Sequence, residues 1–333
     1  MEISVSKITT IFSSKKIPAA LLAAFLLFVA AEAILYLNRA EFIDDFWNKF
    51  IINEHVLIEL PKDYDYLIVG DSIQKTGIKV TDVSGDILNL GLPGGKPMSL
   101  YLLLKRYLEN HKPPKAIFLY VDPEPALDST YVILRYFVNI PELVFIWKDL
   151  TAEERRVFFM RYWPSLDLRK VGLTKRDVYR GSNALFVDTL KKNNGYMPSP
   201  RSGNSLSEDF FIKNKQRLQY KVSISKIDVK YLNKLMALAN SRRIKVVLLG
   251  FVVPKELYVA LENTGFNKDY DTFYGKMRRD YPSAYSIKKP MMYIDNKYFG
   301  DYSHVNKKGS DIYTRYFKNQ IFEPTASRIE GKQ

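Results

Sequence analysis

The chain has 333 residues, of which 47% are hydrophobic and 14% aromatic. This composition excludes a small disulfide-stapled scaffold, a low-complexity polymer and an acidic disordered chain, and it supports a large core in one domain or two. The absence of Cys excludes thiolate nucleophiles and Cys-based metal sites, and only three His are available for imidazole chemistry.

The formal net charge is +14. A basic surplus is compatible with nucleic-acid binding, but the sequence carries no nucleic-acid-binding motif. Because the N-terminal segment described next predicts export, we expect anionic envelope polymers or lipid headgroups as partners, and no nucleic acid. For most of these charges, however, a basic surface that is simply solvated is the favoured explanation.

Residues 17–37 form an apolar run interrupted by one ionisable residue, Glu32. A helix needs roughly 20 residues to cross the hydrocarbon core, so the run predicts a single-pass anchor. The basic tail, residues 1–16, should stay in the cytoplasm, which places the remaining chain on the extracytoplasmic side of the cell membrane. Two alternatives remain: a signal peptide cleaved near Ala31-Glu32-Ala33, which would release a soluble protein, and a buried core helix.

After a linker or helix at 38–60, the sequence predicts strands at 64–70, 85–91 and 116–122. A helix with apolar residues at helical spacing, 97–111, lies between the second and third strands. This alternation predicts an α/β fold with a parallel sheet covered by helices on both faces.

The regular pattern stops over 123–226, which is rich in aromatic and basic residues, and then resumes. We interpret 61–322 as one domain with 123–226 as a helical insertion and 323–333 as a frayed tail. The elements expected after the insertion are a helix at 228–243, a strand at 244–253, a helix at 268–280, a strand at 291–295 and a closing helix at 305–322.

Two clusters of catalytic residue types lie where strands are expected to end. Ser72 follows the first strand on a tight turn, which would put its hydroxyl at the rim of the sheet and its N–H at a helix N-terminus. Asp301 and His304 follow the last strand, at a spacing that lets the carboxylate bind the imidazole and fix its tautomer. The sequence therefore predicts Ser72 as a nucleophile, and Asp301 and His304 as a carboxylate–imidazole pair.

The segments Gly70-Asp71-Ser72 and Asp301-Tyr302-Ser303-His304 resemble the first and last sequence blocks of the SGNH (GDSL-type) hydrolase superfamily. The resemblance implies a three-layer α/β/α, flavodoxin-like fold, with Ser72 as nucleophile, His304 as general base and Asp301 as its orienting group. The loop 89–95 resembles the second block, which implies that Gly94 joins the Ser72 N–H as an oxyanion donor. No cofactor is implied.

The third block of that superfamily, G-x-N-D, has no counterpart here. Asp122 and Glu124 follow the third strand instead, as a polar replacement or as a solvated loop, with the loop slightly favoured. Possible auxiliary residues are Asp71, Asn89 and Asp122, and we interpret Asp71 as a turn-stabilising side chain. The sequence predicts no metal site, although one built from carboxylates alone stays open.

With its anchor, the chain is similar to membrane-anchored SGNH proteins that assist acylation of envelope polysaccharide or teichoic acid. That likeness implies an acyl esterase or O-acyltransferase acting on an envelope glycan or lipid, with a membrane-bound O-acyltransferase as a possible partner. The insertion would form a binding groove or an ordinary packed helical subdomain. A stand-alone secreted esterase or lipase and a non-catalytic envelope-binding or assembly protein are the alternatives.

Overall fold

The computed structural model describes residues 16–38, 57–122, 137–162, 182–207, 210, 222, 224–281, 284–286 and 291–331. Most of residues 1–16 and of the predicted linker, Glu124 and parts of the predicted insertion lie outside the described residues. Helix α1 (Lys16–Leu37) contains Ala19–Leu37, a stretch long and apolar enough to span a bilayer, with a mean hydropathy of 2.4. The exposed faces of this helix argue against a buried core helix. Its length and apolarity fit a signal sequence as well as a membrane anchor.

Within the described residues, the central sheet has five strands in the order β2-β1-β3-β4-β6, and every neighbouring pair is parallel. Its strands are β1 (Tyr66–Val69), β2 (Ile87–Asn89), β3 (Ala116–Leu119), β4 (Lys245–Leu248) and β6 (Ala284–Ser286). In the register, Ile68 of β1 lies opposite Asn89 on one side and Phe118 on the other. The predicted α/β class with a parallel sheet is confirmed.

The sequence predicted a single strand at 244–253, but the structure divides this apolar run into two strands. It bends at Leu249-Gly250 and enters a second sheet as β5 (Phe251–Pro254), which pairs in parallel with β7 (Met291–Ile294). The strand predicted at 291–295 therefore belongs to this small sheet. The fifth strand of the central sheet is β6, which the sequence analysis missed.

Both faces of the central sheet are covered. Phe118 on β3 packs edge-on against Phe317 at a ring separation of 5.1 Å, so the C-terminal helical segment covers one face. Successive side chains of a strand point to opposite faces, and Ile117 and Leu119, which face the other way, are fully buried. Such double burial explains why the strands are continuous apolar runs without alternation.

The helices are α2 (Ser72–Gly77), α3 (Pro97–Asn110), α4 (Ile140–Asp149), α5 (Ala152–Tyr162), α6 (Ser182–Lys192), α7 (Lys226–Ser241), α8 (Lys255–Asn263), α9 (Phe266–Asp280), α10 (Lys307–Tyr316) and α11 (Glu323–Ile329). A π-helical segment, Phe317–Phe322, joins the last two. The prediction of a frayed tail after residue 322 is wrong for α11, and α8 was not predicted.

Residues 193–206, within the predicted insertion, run along the edge of the central sheet, and we call them the return segment. The N–H of Asn89 donates to Asn194 O at 2.8 Å, and the N–H of Leu206 donates to Phe299 O, also at 2.8 Å. Gly195, with φ of 87°, lies so close to β2 that an added Cβ would be 2.1 Å from Asn89 O. The return segment therefore joins the β2 edge to the loop that precedes α10.

Candidate active site

Ser72 is the first residue of α2, immediately after the turn that ends β1. Asp71 caps this helix, since its Oδ1 accepts a hydrogen bond of 2.8 Å from the N–H of Ile73. Gly70 allows the turn to approach β3, because an added Cβ would lie 3.0 Å from the Cβ of Tyr120. The Ser72 side chain is thus held at the carboxyl edge of the sheet, where open α/β folds place their ligands.

The loop carrying Asp301 and His304 is closed by its own hydrogen bonds. Phe299 and Val305 form an antiparallel bridge, and Asp301 Oδ1 accepts from the N–H of Ser303 at 2.9 Å and from that of His304 at 2.8 Å. These bonds fix both side chains on a short, rigid turn before α10 begins.

The structure brings together the three residues predicted to form a catalytic chain. His304 Nε2 lies 2.8 Å from Ser72 Oγ, and Nδ1 lies 3.0 Å from each carboxylate oxygen of Asp301. An ionised carboxylate can only accept hydrogen bonds, so Nδ1 carries the proton and Nε2 presents its lone pair to the hydroxyl. This geometry suits abstraction of the Ser72 proton by His304.

The electrostatics of Asp301 favour its ionised form. Burial acts to raise the pKa of its carboxyl, but the hydrogen bond from His304, the positive charge of His304 when it is protonated, and the two backbone N–H groups outweigh burial and lower that pKa. Arg201, from the return segment, adds an ion pair at 3.3 Å to Oδ2, although its side chain is largely exposed. The carboxylate is therefore held charged beside the imidazole.

Among the described residues, Ser303 and Arg201 also touch this chain, and neither was among the predicted site residues. Ser303 Oγ lies 3.2 Å from His304 Nδ1, and Arg201 reaches Asp301 from the insertion. Ser303 lies within the quoted Asp-x-x-His segment, so the sequence contained a signal for it. Arg201 had none, because it is 100 residues away and follows no motif.

The loop of the predicted second oxyanion donor packs against the serine turn. A Cβ on Gly95 would lie 2.6 Å from Gly70 O, and one on Gly91 would lie 2.8 Å from Asp71 O, so glycine permits both close approaches. Gly94 between them has φ of 66° and is exposed. The contacts place the loop next to Ser72, and the oxyanion role of Gly94 stays a prediction.

Asn89 holds the framework of the site. Its side-chain amide donates to Gln74 O in α2 at 2.9 Å and accepts from the N–H of Gly91 at 3.0 Å, and the residue is fully buried. These contacts fix α2 and the glycine loop relative to β2, so we assign Asn89 to positioning of the site.

Asp122, at the carboxyl end of β3, forms an ion pair of 2.6 Å with Lys96, whose side chain is almost completely buried. The interpretation of Asp122 as a solvated loop residue is therefore wrong. No sequence signal marked Lys96 for this pair, since it lies 26 residues from Asp122 and precedes an ordinary helix. The pair occupies the strand end at which the superfamily pattern has its third block.

The carboxyl of Asp71 lies close enough to the Lys96–Asp122 pair for both charges to affect its pKa. Burial and the carboxylate of Asp122 raise the pKa of Asp71 to about 7. The hydrogen bond from the N–H of Ile73 and the electrostatic interactions with His304 and Lys96 act to lower this pKa. Among the described residues, no group of three or more His, Asp or Glu is arranged to hold a metal ion.

We expect Asp71→Asn to change the pH dependence of stability. Between about pH 4 and pH 7 the folded protein keeps a proton on Asp71 that the unfolded chain has lost, so the free energy of unfolding falls as pH rises, by up to about 4 kcal/mol. Asn can still cap α2 but does not titrate. Urea unfolding between pH 5 and pH 8 should show a smaller decline for Asp71→Asn, and parallel curves would contradict the assignment.

Comparison of the sequence with models of known protein families and with curated proteins finds no match.

Proposed function

We propose that the protein is a membrane-anchored, SGNH-type serine acyl esterase or O-acyltransferase that works on the extracytoplasmic side of the membrane. The observation that carries this proposal is the hydrogen-bonded chain from Ser72 through His304 to Asp301. It lies at the carboxyl edge of a parallel sheet, on the two segments that resemble SGNH blocks. Helix α1 supports the membrane anchor by its length and apolarity.

The fold supports the same class. When the five strands of the central sheet are numbered by their order in the chain, so that β6 counts as the fifth, they lie side by side as 2-1-3-4-5. This is the strand order of flavodoxin-like sheets. The burial of both faces of β3 fits the three-layer arrangement that the SGNH resemblance implies. Fold alone does not define an activity, so the proposal depends on the side chains at the strand ends.

The proposed reaction begins when Ser72 Oγ attacks the carbonyl carbon of an acyl ester and His304 Nε2 takes the serine proton. The N–H groups of Ser72 and Gly94 would stabilise the oxyanion of the tetrahedral intermediate. Collapse breaks the ester bond, and His304 returns the proton to the departing alkoxide, leaving an acyl group on Ser72. Water or an acceptor hydroxyl then attacks the acyl carbonyl carbon as His304 takes its proton. The bond from that carbon to Ser72 Oγ breaks, and His304 gives the proton to Ser72 Oγ, which restores the free serine.

Transfer to an acceptor rather than hydrolysis follows from the likeness to anchored envelope-acylation proteins. The acceptor would be an envelope glycan or lipid, and a membrane-bound O-acyltransferase would be the partner that supplies or receives the acyl group. The surplus of positive charge is compatible with an anionic polymer. A stand-alone esterase would use the same three residues without such a partner.

One observation favours a non-catalytic assembly protein as the second candidate. The strand end that carries an Asn oxyanion donor in the superfamily pattern here carries the Lys96–Asp122 ion pair. Loss of one oxyanion donor typically costs on the order of 10²- to 10³-fold in rate. A site that kept its fold while losing transition-state stabilisation would therefore react slowly or not at all.

A serine-directed fluorophosphonate tests the proposal on the full chain in detergent or vesicles. We expect a covalent adduct on Ser72, located by mass spectrometry of peptides, and no adduct in Ser72→Ala. The matched control is Ser303→Ala, because Ser303 also has a hydroxyl that contacts His304, and this variant should still form the adduct on Ser72. An unlabelled wild type would contradict both enzyme candidates, whereas labelling without hydrolysis of simple esters favours acyl transfer.

A further inference from the structure

Helices α4 and α5 expose a row of large apolar side chains. On α4, Ile140 is 64% exposed and Val144 56% exposed, and with Trp147 they follow a spacing of four and three residues along one side of the helix. Phe159 and Met160 on α5 are also exposed. We call these five residues the apolar face. Soluble monomers rarely expose apolar groups in a continuous patch.

The opposite side of α4 is fixed to the domain. Arg106 on α3 donates from Nε to Glu142 at 2.7 Å, and Ile146 is completely buried. At the end of α4, Asp149 accepts from the hydroxyl of Tyr231 at 2.9 Å and forms an ion pair with Lys230 at 2.8 Å. The apolar face is therefore held outward by a docked helix.

Helix α5 is attached to α4 beside this face. Arg155 donates from Nε to Trp147 O at 3.0 Å, and the ring of buried Phe158 lies 6.3 Å from that of Trp147. Phe159 and Met160 directly follow Phe158 in α5. The two helices thus form one unit, which carries all five residues of the apolar face.

A contact between this unit and α1 shows where the apolar face lies relative to the candidate membrane span. The hydroxyl of Tyr36, in the last turn of α1, donates to Val138 O at 2.8 Å, two residues before Ile140. Tyrosine at the end of a span is typical of the membrane–water interface. The apolar face therefore begins at the level where the candidate span leaves the bilayer, and the exposed cations Lys148 and Arg156 are suited to anionic headgroups.

We propose that the apolar face of α4 and α5 lies in the outer headgroup region of the membrane that α1 spans, as an interfacial pair of helices. This inference rests on the membrane anchor of the proposed function and adds a second point of attachment. A single helix would let the domain rotate about the membrane normal and tilt, whereas two contacts restrict its tilt. The acyl-transfer site would then keep one orientation to the bilayer.

The test uses the absence of cysteine in the chain. Single variants of the full-length protein, Val144→Cys and Val259→Cys, carry a bimane label and are reconstituted in vesicles of equal parts phosphatidylcholine and phosphatidylglycerol. Val259 is the matched control, a valine on α8 that is 47% exposed. Leu26→Cys, within α1, reports whether the anchor itself is inserted.

We expect doxyl-labelled lipids to quench the Val144 label at least about threefold more than the Val259 label, since interfacial helices bury their apolar face among acyl chains. Equal quenching at both positions, with Leu26 quenched, would overturn the interfacial proposal and leave the anchor standing. A Val144 label shielded from lipid and from water-soluble quenchers would also overturn it, in favour of a protein occupant. An unquenched Leu26 label would refute the anchor and, with it, this inference.

Discussion

The variant His304→Gln is expected to lose ester turnover by a factor on the order of 10⁶, the loss found when the base of a serine triad is removed. His304 Nε2 is the group that contacts Ser72 Oγ in the described site, at 2.8 Å. Glutamine has an amide in place of the imidazole, and an amide does not accept the proton at neutral pH. Ser72 would then remain a weakly nucleophilic alcohol.

The measurement for His304→Gln is single-turnover acylation by an activated ester, with protein folding checked by circular dichroism. The matched control is His111→Gln, since His111 contacts Asp63 and Ile58 O and stacks on Tyr107, all outside the site. We expect His111→Gln to acylate at the wild-type rate for each folded molecule. A His304→Gln protein that acylates normally would show that His304 is not the base.

The variant Asp301→Asn should reduce acylation by about 10⁴-fold, the loss measured for the same change in a well-studied serine triad. The asparagine Oδ1 can still accept from the N–H groups of Ser303 and His304, so the loop keeps its shape. Its Nδ2 would donate to His304 Nδ1, which moves the imidazole proton to Nε2. Nε2 could then no longer accept the Ser72 proton.

The control for Asp301→Asn is Arg201→Gln, which removes the exposed ion pair to the same carboxylate and leaves its charge. Exposed ion pairs contribute only about 0 to 1 kcal/mol, so we expect at most a few-fold change in rate. Comparable losses in the two variants would mean that the loop position depends on Arg201, and would contradict an orienting role specific to the carboxylate of Asp301.

The sequence predicted the elements of the fold that depend on short, strongly patterned segments. Strands β1 and β3 are apolar runs buried on both faces, and α3 and α7 have apolar residues at helical spacing, so their bounds were found to within a few residues. Strand β6 was missed because Ala284-Tyr285-Ser286 is short and lacks an apolar run. Its place in the sheet is decided by its pairing with β4.

The split between β4 and β5 shows a second limit. In the apolar run at 244–253, only Gly250 indicates that the chain changes from one sheet to the other. The second sheet forms because β7 pairs with β5. For the site, the positions of Ser72, Asp301 and His304 followed from motifs at strand ends. Lys96 and Arg201 could not be predicted, since their partners are 26 and 100 residues away and are chosen by packing.

The separation of 232 positions in the sequence between Ser72 and His304 has a consequence for export of the chain. If α1 anchors the protein and the chain crosses the membrane from N-terminus to C-terminus, the serine arrives first and the imidazole only near the end of export. Parallel strands with distant partners also form late, because long loops must close first. A partly exported chain would hold a serine without its base, so acyl chemistry could begin only after translocation is complete.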